Sequence, residues 1–332
     1  MLVCVTGGTG FLGAHTVAAM VRAGHRVRLL VRDETTVAPA LAPFGVDVDV
    51  VVGDVTDPVT VAQAVRGADA VTHMAAVYSF DSRKHAEMRR VNVAGTRVVL
   101  EAARRHAGLV VHVSTIVALD PGPDRVLRAD SPVGRARETY MASKSAAEVI
   151  ARDHQAAGAP VVITYPSALI GPHDPRLGDQ NARLRNTLRG LMPIWPTGGF
   201  PVGDVRDTAA MHAGLLTSAT SDRIFGPGHY LSTRDYLRTL RTVTGRRLPA
   251  VFLPATAMRP VGLLTGLVQR MWPWHIPAEY GAIATCARAT RVAENADTNG
   301  VKPRQMEETM RDTVSWLRDA GWLTDRQSVA VG

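Results

Sequence analysis

Short apolar runs alternate with stretches of helical periodicity through the first half of the chain. Each run is rich in valine and only a few residues long, which is typical of strands that helices cover on both faces. The runs are Leu2–Thr6, Val27–Val31, Val46–Val52, Ala70–Met74, Leu109–Val113 and Val161–Tyr165. The stretches that suit helices are 11–23, 58–66, 84–107 and 135–157. This alternation predicts an α/β fold with a parallel, doubly wound sheet and right-handed crossovers.

The pattern changes after Pro166, where proline and glycine cluster over 171–178 and 193–203. Helical segments then dominate, over 207–218, 233–244, 255–272 and 304–320. We therefore expect a first domain of residues 1–171 and a smaller, mainly helical lobe of residues 172–332, some segments of which return to the first domain. We expect this lobe to close over the carboxyl edge of the sheet, where such folds bind their ligands.

The net charge of +8 over 332 residues raises the question of a nucleic-acid partner. The basic residues are spread along the chain, and no DNA-reading motif accompanies them, so we expect no nucleic acid. Only two cysteines are present, and Cys4 lies in a predicted buried strand, which favours a reducing cytoplasm. Because the first strand begins at Leu2 and no uncharged apolar run reaches about 18 residues, we expect neither a secretory signal nor a membrane span. A homodimer stays an open possibility.

A glycine-rich turn follows the first strand directly, with the sequence TGGTGFLG at 6–13. Gly7 allows a tight turn, Gly10 lets the backbone approach a pyrophosphate, and Gly13 lets the next helix pack closely on the strand. A strand before the motif and a helix after it are the context that a dinucleotide site requires. The backbone N–H groups expected to face the anion are those of Phe11 and Leu12.

The residues that follow the second strand select between NAD and NADP. An acid at this strand end would bind the ribose hydroxyls of NAD, whereas an arginine favours the 2′-phosphate of NADP. Val31 stands where the acid is expected, and Arg32 follows it. Asp33 falls in the loop, either as a turn residue or as the partner of Arg32. We therefore predict a Rossmann domain that binds NADP(H) in preference to NAD(H).

Tyr140 and Lys144 stand four residues apart, so a phenol and an ammonium share one face of a predicted helix. A neighbouring cation favours the phenolate, and we expect Lys144 to lower the pKa of Tyr140 and make it a proton donor near neutral pH. Upstream, Ser114 and Thr115 end the fifth strand, where a hydroxyl can polarise a substrate carbonyl.

Taken together, these segments resemble the extended short-chain dehydrogenase/reductase family, part of the NAD(P)-dependent epimerase/dehydratase superfamily. The resemblance covers roughly residues 1–215 in consistent order. It rests on TGGTGFLG at 6–13, Asp54 after the third strand, MAA at 74–76, VNVAGT at 91–96, VST at 113–115, YMASK at 140–144 and YPSALIGPHDP at 165–175.

The resemblance implies a catalytic set of Thr115, Tyr140 and Lys144. In this family the catalytic hydroxyl residue precedes the tyrosine by a characteristic number of residues, and that spacing from Tyr140 selects Thr115 over Ser114. Asn92 would order its helix or a proton-relay water, although a role in helix packing is equally open. Asp54 and Val55 would flank the adenine, Lys144 would also bind the nicotinamide ribose, and Pro166 and Leu169 would line the nicotinamide. The positions so implied for the cofactor are Asp54, Val55, Ala75, Lys144, Pro166 and Leu169.

Within the family, Arg32 and its VRDET context resemble the dihydroflavonol reductase and 3β-hydroxysteroid dehydrogenase branch. Sugar-nucleotide dehydratases place Asp-Glu directly after the catalytic threonine, but this chain has Ile116 and Val117, which cannot transfer protons. Nucleotide-sugar epimerases carry an arginine at a position where this chain has Phe200. The histidines show no metal-ligand spacing, so we expect no metal site.

These features predict an NADP(H)-dependent reductase of a carbonyl, or the reverse alcohol dehydrogenase, acting on an apolar, aromatic or steroid-like small molecule. A nucleotide-sugar epimerase and a non-catalytic NADP-sensing protein are the alternatives. The apolar face at 254–274 could roof the substrate pocket, dock on the core or touch a membrane interface. The residues expected to line the pocket are Tyr78, Ile116, Met192, Trp195 and Met271.

Overall fold

The computed structural model describes residues 1–78, 84–136, 138–219, 222–254, 286 and 288–328. The strands are β1 (Leu2–Thr6), β2 (Arg26–Val31), β3 (Asp49–Val52), β4 (Ala70–His73), β5 (Leu109–Val113), β6 (Val126–Leu127), β7 (Val161–Tyr165), β8 (Ala168–Ile170), β9 (Ile194–Pro196), β10 (Gly199–Asp204), β11 (Arg223–Phe225), β12 (His229–Ser232), β13 (Val251–Leu253) and β14 (Arg291–Val292). The α-helices are α1 (Phe11–Arg22), α2 (Val37–Leu41), α3 (Pro58–Val65), α4 (His85–Arg89), α5 (Thr96–His106), α6 (Thr139–Ala156), α7 (Asp179–Leu188), α8 (Val205–Leu215), α9 (Thr233–Thr244), α10 (Met306–Asp319) and α11 (Asp325–Ser328). The predicted segment 254–274 lies outside the described residues, apart from Pro254.

Seven parallel strands form the main sheet in the order β11-β7-β5-β4-β1-β2-β3. This sheet confirms the predicted doubly wound α/β class. The strand order reverses beside β1, and the carboxyl edge of the sheet at such a reversal is where these folds bind ligands. The predicted run from Val46 is wrong at its start, since Val46 and Val48 precede β3 and pack beside the core as partly buried loop residues.

Successive residues of β1 alternate between the two faces of the sheet, as the period of a strand requires. Val3 and Val5 pack with α1, α2 and α8, whereas Cys4 packs with α3, α5 and α6. Both faces are therefore covered by helices, and β1 is almost entirely apolar. The central position of β1 fixes the glycine-rich turn at the middle of the carboxyl edge.

Two segments that follow residue 171 lie with the first domain. Strand β11 pairs with β7, and α8 buries Met211 and Leu215 in the same apolar cluster as Val17 of α1. This agrees with the expected return of later segments, while the division at residue 171 stays a prediction.

The predicted helix at 84–107 is interrupted. It consists of α4, a π-helical stretch over Arg90–Gly95 and then α5. A π-helical turn widens the backbone spiral and often occurs at functional sites. Here it carries Asn92, which points into the interior.

The C-terminal lobe combines helices with small sheets. Helices α7, α9 and α10 bury Leu184, Leu240 and Val314 in a third apolar cluster. Strands β8, β10 and β12 form one small sheet, β9 pairs with β13, and β6 pairs with β14. Across the described part of the chain, no helix is both long enough and apolar enough to cross a membrane.

Candidate active site

The glycine-rich turn has a conformation that only glycines allow. Gly7 has a φ of +78°, and a Cβ there would lie 2.7 Å from the backbone nitrogen of Ala75. A Cβ on Gly13 would overlap the carbonyl oxygen of Gly7. Gly10 donates its N–H to that same carbonyl at 3.1 Å and precedes the first residue of α1. The first-turn N–H groups of α1 are thus left to bind an anion, as the phosphates of a dinucleotide require.

At the end of β2, the structure decides between the two roles open to Asp33. Its carboxylate accepts hydrogen bonds from the N–H of Thr35 at 3.0 Å and from the Thr35 hydroxyl at 2.6 Å, and these bonds lower its pKa. Asp33 is therefore a turn residue. Arg32 instead forms an ion pair with Glu87 at 3.4 Å, and its side chain is 60% exposed.

Asp54 and Val55 lie beyond the end of β3, as the resemblance implied. Partial burial raises the pKa of Asp54, but hydrogen bonds from Thr56 and the charge of Arg90 outweigh this effect and hold the pKa below its usual value. Val55 is buried beneath Gly95, where a Cβ would lie 2.9 Å from the Val55 side chain. A charged carboxylate and an apolar side chain thus stand side by side at the edge of the sheet.

Tyr140 occupies the first turn of α6. The carboxylate of Glu138 caps this helix by accepting the N–H groups of Tyr140 and Met141, each at 2.8 Å. The Tyr140 ring meets the ring of Tyr78 edge to face, with centroids 4.7 Å apart. The cap and the ring contact together fix the direction of the phenol.

The expected lowering of the Tyr140 pKa is wrong in this structure. Burial raises the pKa of Tyr140, and the charge of Glu138 raises it further. Burial also lowers the pKa of Lys144 to about 8, although Glu148 opposes the shift. The Lys144 ammonium donates to the carbonyl oxygen of Val113 at 3.0 Å, which ties α6 to the end of β5. With its pKa raised in this way, Tyr140 holds its proton at neutral pH.

The two hydroxyls after β5 have different surroundings. Thr115 lines the same cavity as Tyr140, and its hydroxyl oxygen accepts the N–H of Val117 at 3.4 Å. The Ser114 hydroxyl is buried and has no hydrogen-bond partner among the described residues. The structure thus places Thr115, and not Ser114, on the cavity wall that holds the phenol.

Asn92 connects three parts of the site. Its side-chain oxygen accepts the N–H of Val77 at 2.7 Å, and its side-chain nitrogen donates to the hydroxyl of Ser143 at 3.0 Å. Ser143 in turn donates to the backbone carbonyl of Tyr140 at 2.7 Å. Asn92 therefore fixes the loop after β4 against the tyrosine-bearing helix, which is the packing role that the sequence left open.

A buried histidine extends this network to the glycine-rich turn, and no pattern in the sequence pointed to it. The Thr96 hydroxyl donates its proton to the carbonyl of Asn92, so its oxygen accepts a hydrogen bond from Nε2 of His73 at 3.1 Å. The other ring nitrogen of His73, Nδ1, then accepts from the Thr6 hydroxyl at 2.7 Å. Burial lowers the pKa of His73 to about 3, because the ring is 1% exposed. A neutral imidazole thus joins β1 to the helix that carries Asn92.

A cavity of about 380 Å³ opens beside Tyr140 and Thr115. Its wall is mostly apolar. Besides Thr115 and Tyr140, five other residues that we predicted for the site line it: Phe11, Leu12, Tyr78, Ile116 and Leu169. Phe200, at the position where epimerases carry arginine, is buried on this wall, and the guanidinium of Arg183 lies 5.5 Å from the centre of its ring. The cavity is large enough for a small organic molecule.

Two predicted pocket residues lie elsewhere. Trp195 is 2% exposed in the C-terminal core, where its ring centroid is 5.6 Å from that of Tyr236. Its indole nitrogen donates to the carbonyl of Met192, and neither residue lines the cavity. Pro166 is also absent from the cavity wall, but its carbonyl accepts the N–H of Ile116 at 3.2 Å. Met271 lies outside the described residues.

The model of the NAD dependent epimerase/dehydratase family matches residues 3–228, which include the turn, the π-helical stretch and the tyrosine helix. The chain belongs to this family. The resemblance to extended short-chain dehydrogenases/reductases is thereby confirmed, and the protein is an NAD(P)-dependent enzyme. Within the described residues, no three His, Cys, Asp or Glu side chains are grouped as a metal ion would need.

Two relatives that align with nearly the whole chain carry reductase names. A Synechocystis protein, provisionally named dihydroflavonol 4-reductase, is 33% identical over 341 residues and covers 96% of this chain and 95% of its own. The ceramide reductase of Caulobacter vibrioides is 33% identical over 343 residues, covering 97% of this chain and 96% of its own. Among solved structures, gox2253 superimposes with a TM-score of 0.81 at 26% identity, over 97% of this chain and 99% of that one.

Proposed function

We propose that the protein is an NADP(H)-dependent reductase of a carbonyl group, or a dehydrogenase of the corresponding alcohol, acting on an apolar or aromatic substrate such as a steroid or lipid. The observation that carries this proposal is the apolar cavity on which Tyr140 and Thr115 meet. Ile116 and Val117 follow Thr115 on the same wall, where sugar-nucleotide dehydratases place their acid pair, and the acids that do line the cavity, Asp174 and Asp179, come instead from the start of α7 and the loop before it.

The carboxyl edge of the main sheet suits the dinucleotide. A Cβ on Gly7 or Gly13 would collide with backbone, so these glycines let the turn at 6–13 close tightly against the first turn of α1, whose N–H groups would bind the pyrophosphate. Arg32 is exposed at the end of β2, in reach of a 2′-phosphate. When bound there, NADPH supplies the hydride. The residues that would hold it are Gly7, Gly10, Phe11, Leu12, Gly13, Arg32, Asp54, Val55, Ala75, Lys144, Pro166 and Leu169.

The chain's own residues handle the proton. The Thr115 hydroxyl donates a hydrogen bond to the substrate carbonyl and polarises it. Tyr140 transfers its phenolic proton to the same oxygen as that oxygen gains negative charge. Lys144, charged at pH values below about 8, stabilises the phenolate that remains. In the reverse direction, the phenolate takes the proton from the alcohol.

The wall chemistry supports an apolar substrate. Tyr78, Ile116, Met141 and Phe200 present rings and aliphatic groups to the cavity. Apolar walls with a few polar groups at the reacting end favour hydrophobic ligands of defined orientation. The relative named ceramide reductase acts, by its name, on a lipid, which agrees with this class of substrate.

A nucleotide-sugar epimerase is the second candidate. Arg183 reaches the cavity wall at Phe200, so a cation is available there for a charged substrate even though Phe200 itself is apolar. A protein that only senses NADP has no need of a proton donor on a cavity wall, and the position of Tyr140 argues against it.

NADPH oxidation should be followed with aromatic ketones, steroid ketones, aldehydes and sugar nucleotides. Replacing Tyr140 by phenylalanine should lower turnover on a ketone by about 100-fold or more, with cofactor affinity nearly unchanged. Tyr236→Phe is the matched control, because it removes a buried hydroxyl that has no partner among the described residues and lies off the cavity wall. Full activity of Tyr140→Phe would refute the mechanism, and turnover of sugar nucleotides alone would favour the epimerase.

A further inference from the structure

A second cavity, of about 310 Å³, lies next to the substrate cavity. Three arginines line it: Arg125, Arg135 and Arg288. Val117 contributes to the walls of both cavities, and a narrow space between them is bounded by residues of each, Ile116 on one side and Arg288 on the other. The arginine-lined cavity thus adjoins the substrate cavity at Val117, two residues beyond Thr115.

Backbone hydrogen bonds hold the three arginines at this cavity. Arg291 donates to the carbonyl of Arg125 at 2.8 Å, and the pairing of β14 with β6 continues this contact, so the segments of Arg288 and Arg125 are tied together. Gly134, the neighbour of Arg135, donates to the carbonyl of Ala118 at 2.8 Å. The positive charges are therefore carried by fixed segments that come from three parts of the chain.

The charge in this cavity is not neutralised within the described residues. None of the three guanidinium groups forms an ion pair or a side-chain hydrogen bond with a described residue. Asp120 lines the cavity, but one of its carboxylate oxygens already accepts the N–H of Gly122 at 3.0 Å. Asp124 is paired with Arg128 at 2.7 Å. All three arginines are exposed, so water screens their mutual repulsion, and an anion in the cavity would meet three positive charges that have no partner among the described residues.

Arg125 also has a φ of +60°, in the left-handed region that glycine and asparagine adopt more readily. Such backbone strain persists where the surroundings impose it, and it concentrates at binding sites. Gly122, three residues earlier, has a φ of +66°, so glycine already occupies one left-handed position of this turn. The arginine at 125 thus occupies a position that its backbone does not favour, at the cavity wall.

We propose that this cavity binds an oxyanion, a phosphate or diphosphate group, through Arg125, Arg135 and Arg288. The planar guanidinium fork matches phosphate oxygens in pairs, which makes a phosphate ester a better ligand than a monovalent carboxylate. The group belongs either to the tail of a carbonyl substrate bound in the adjoining cavity or to a separate phosphorylated molecule. The cofactor's phosphates bind other elements, the turn at 6–13 and the end of β2.

Pyrophosphate is the probe, titrated by calorimetry into the full-length protein with saturating NADP⁺ present, so that the cofactor's own phosphate sites are filled. Wild type should bind it saturably, and the double variant Arg135→Gln/Arg288→Gln should bind at least about tenfold more weakly. The double variant Arg104→Gln/Arg105→Gln is the matched control, because it removes the same charge from exposed positions on α5. Absence of saturable binding in wild type, or equal loss in the control, would overturn the proposal.

The Arg125→Gly variant separates binding from folding. Because glycine accepts the left-handed backbone, the melting temperature should rise while pyrophosphate affinity falls. A fall in melting temperature with unchanged pyrophosphate affinity would show that Arg125 serves the fold and not an anion.

A comparison of two ketone substrates of equal length, one apolar and one ending in a phosphate monoester, tests whether the bound phosphate belongs to the substrate. If the group is the substrate's tail, wild type should prefer the phosphorylated ketone in kcat/KM and the Arg135→Gln/Arg288→Gln variant should lose that preference. If both ketones react equally while pyrophosphate still binds, the anion is a separate molecule. Because the calorimetric titration needs no turnover, it stands even if the proposed reaction fails.

Discussion

Replacing Arg32 by alanine should remove most of a preference for NADPH over NADH while leaving NADH affinity nearly unchanged. Arg32 follows β2 directly and its side chain is 60% exposed, so the guanidinium can turn toward a 2′-phosphate without breaking a contact in the core. Its present partner is the Glu87 carboxylate at 3.4 Å. A phosphate that binds Arg32 has to compete with that carboxylate, and the size of this competition decides the expected preference.

The competing ion pair is weak. Exposed pairs of this kind contribute about 0–1 kcal/mol. Hydrogen bonds from a guanidinium to a phosphate contribute roughly 1.5–3 kcal/mol, which corresponds to a preference of about 10- to 100-fold. Arg32 should therefore bind the phosphate in preference to the Glu87 carboxylate. Glu87→Gln should tighten NADPH binding by no more than about fivefold without changing NADH binding.

Dissociation constants for both cofactors, measured by quenching of protein fluorescence at low and high salt, test these magnitudes. Arg66→Ala is the matched control, because it removes the same charge from an exposed residue that lies away from the end of β2. Salt should weaken the NADPH preference of wild type and have little effect on Arg32→Ala. If wild type binds NADH as tightly as NADPH, the interpretation of Arg32 is wrong, and Asp33 becomes the expected ribose ligand.

Two further predictions concern the turn and the interior. Gly13→Ala should lower both thermal stability and cofactor affinity, because its Cβ would meet backbone. Gly10→Ala should lower cofactor affinity alone, because its Cβ would lie 3.4 Å from its closest neighbour. Thermal melts with and without NADPH distinguish the two outcomes. Burial lowers the pKa of His15 to about 4 and of His73 and His212 to about 3. Below pH 6.5 the unfolded chain takes up protons that the folded chain refuses, so the free energy of unfolding should fall by up to about 1.4 kcal/mol per histidine per pH unit; equal urea midpoints at pH 7 and 5.5 would contradict this.

The central sheet could be predicted from sequence because its strands are buried on both faces. Continuous apolar runs such as Val161–Tyr165 stand out against the helices around them. Strand β11 has only three residues and joins the sheet after a long excursion through the C-terminal lobe, so no local pattern marks it. Its pairing with β7 is a tertiary contact, and tertiary contacts override short-range signals.

The site could be predicted only where a residue type and its spacing carry the chemistry. The turn at 6–13 and the pair Tyr140 and Lys144 are of this kind. Trp195 was expected in the pocket because it is a large aromatic residue in the substrate lobe, but the side of β9 that it faces depends on packing against α9, and it belongs to the core. The link through His73 was invisible because its partners are far apart along the chain.

The raised pKa of Tyr140 bears on the pH dependence of the proposed reaction. A half-buried phenol beside Glu138 keeps its proton at neutral pH, and its raised pKa makes the phenolate harder to form in either direction of the reaction. Alcohol oxidation would first require the phenolate, and the available stabilising cation is Lys144, which loses its own charge above a pKa of about 8. Burial thus disfavours both charged partners at once. In the proposed reduction Lys144 would have to stabilise the phenolate that Tyr140 leaves behind, so turnover should fall as the pH rises above about 8 and Lys144 loses its charge.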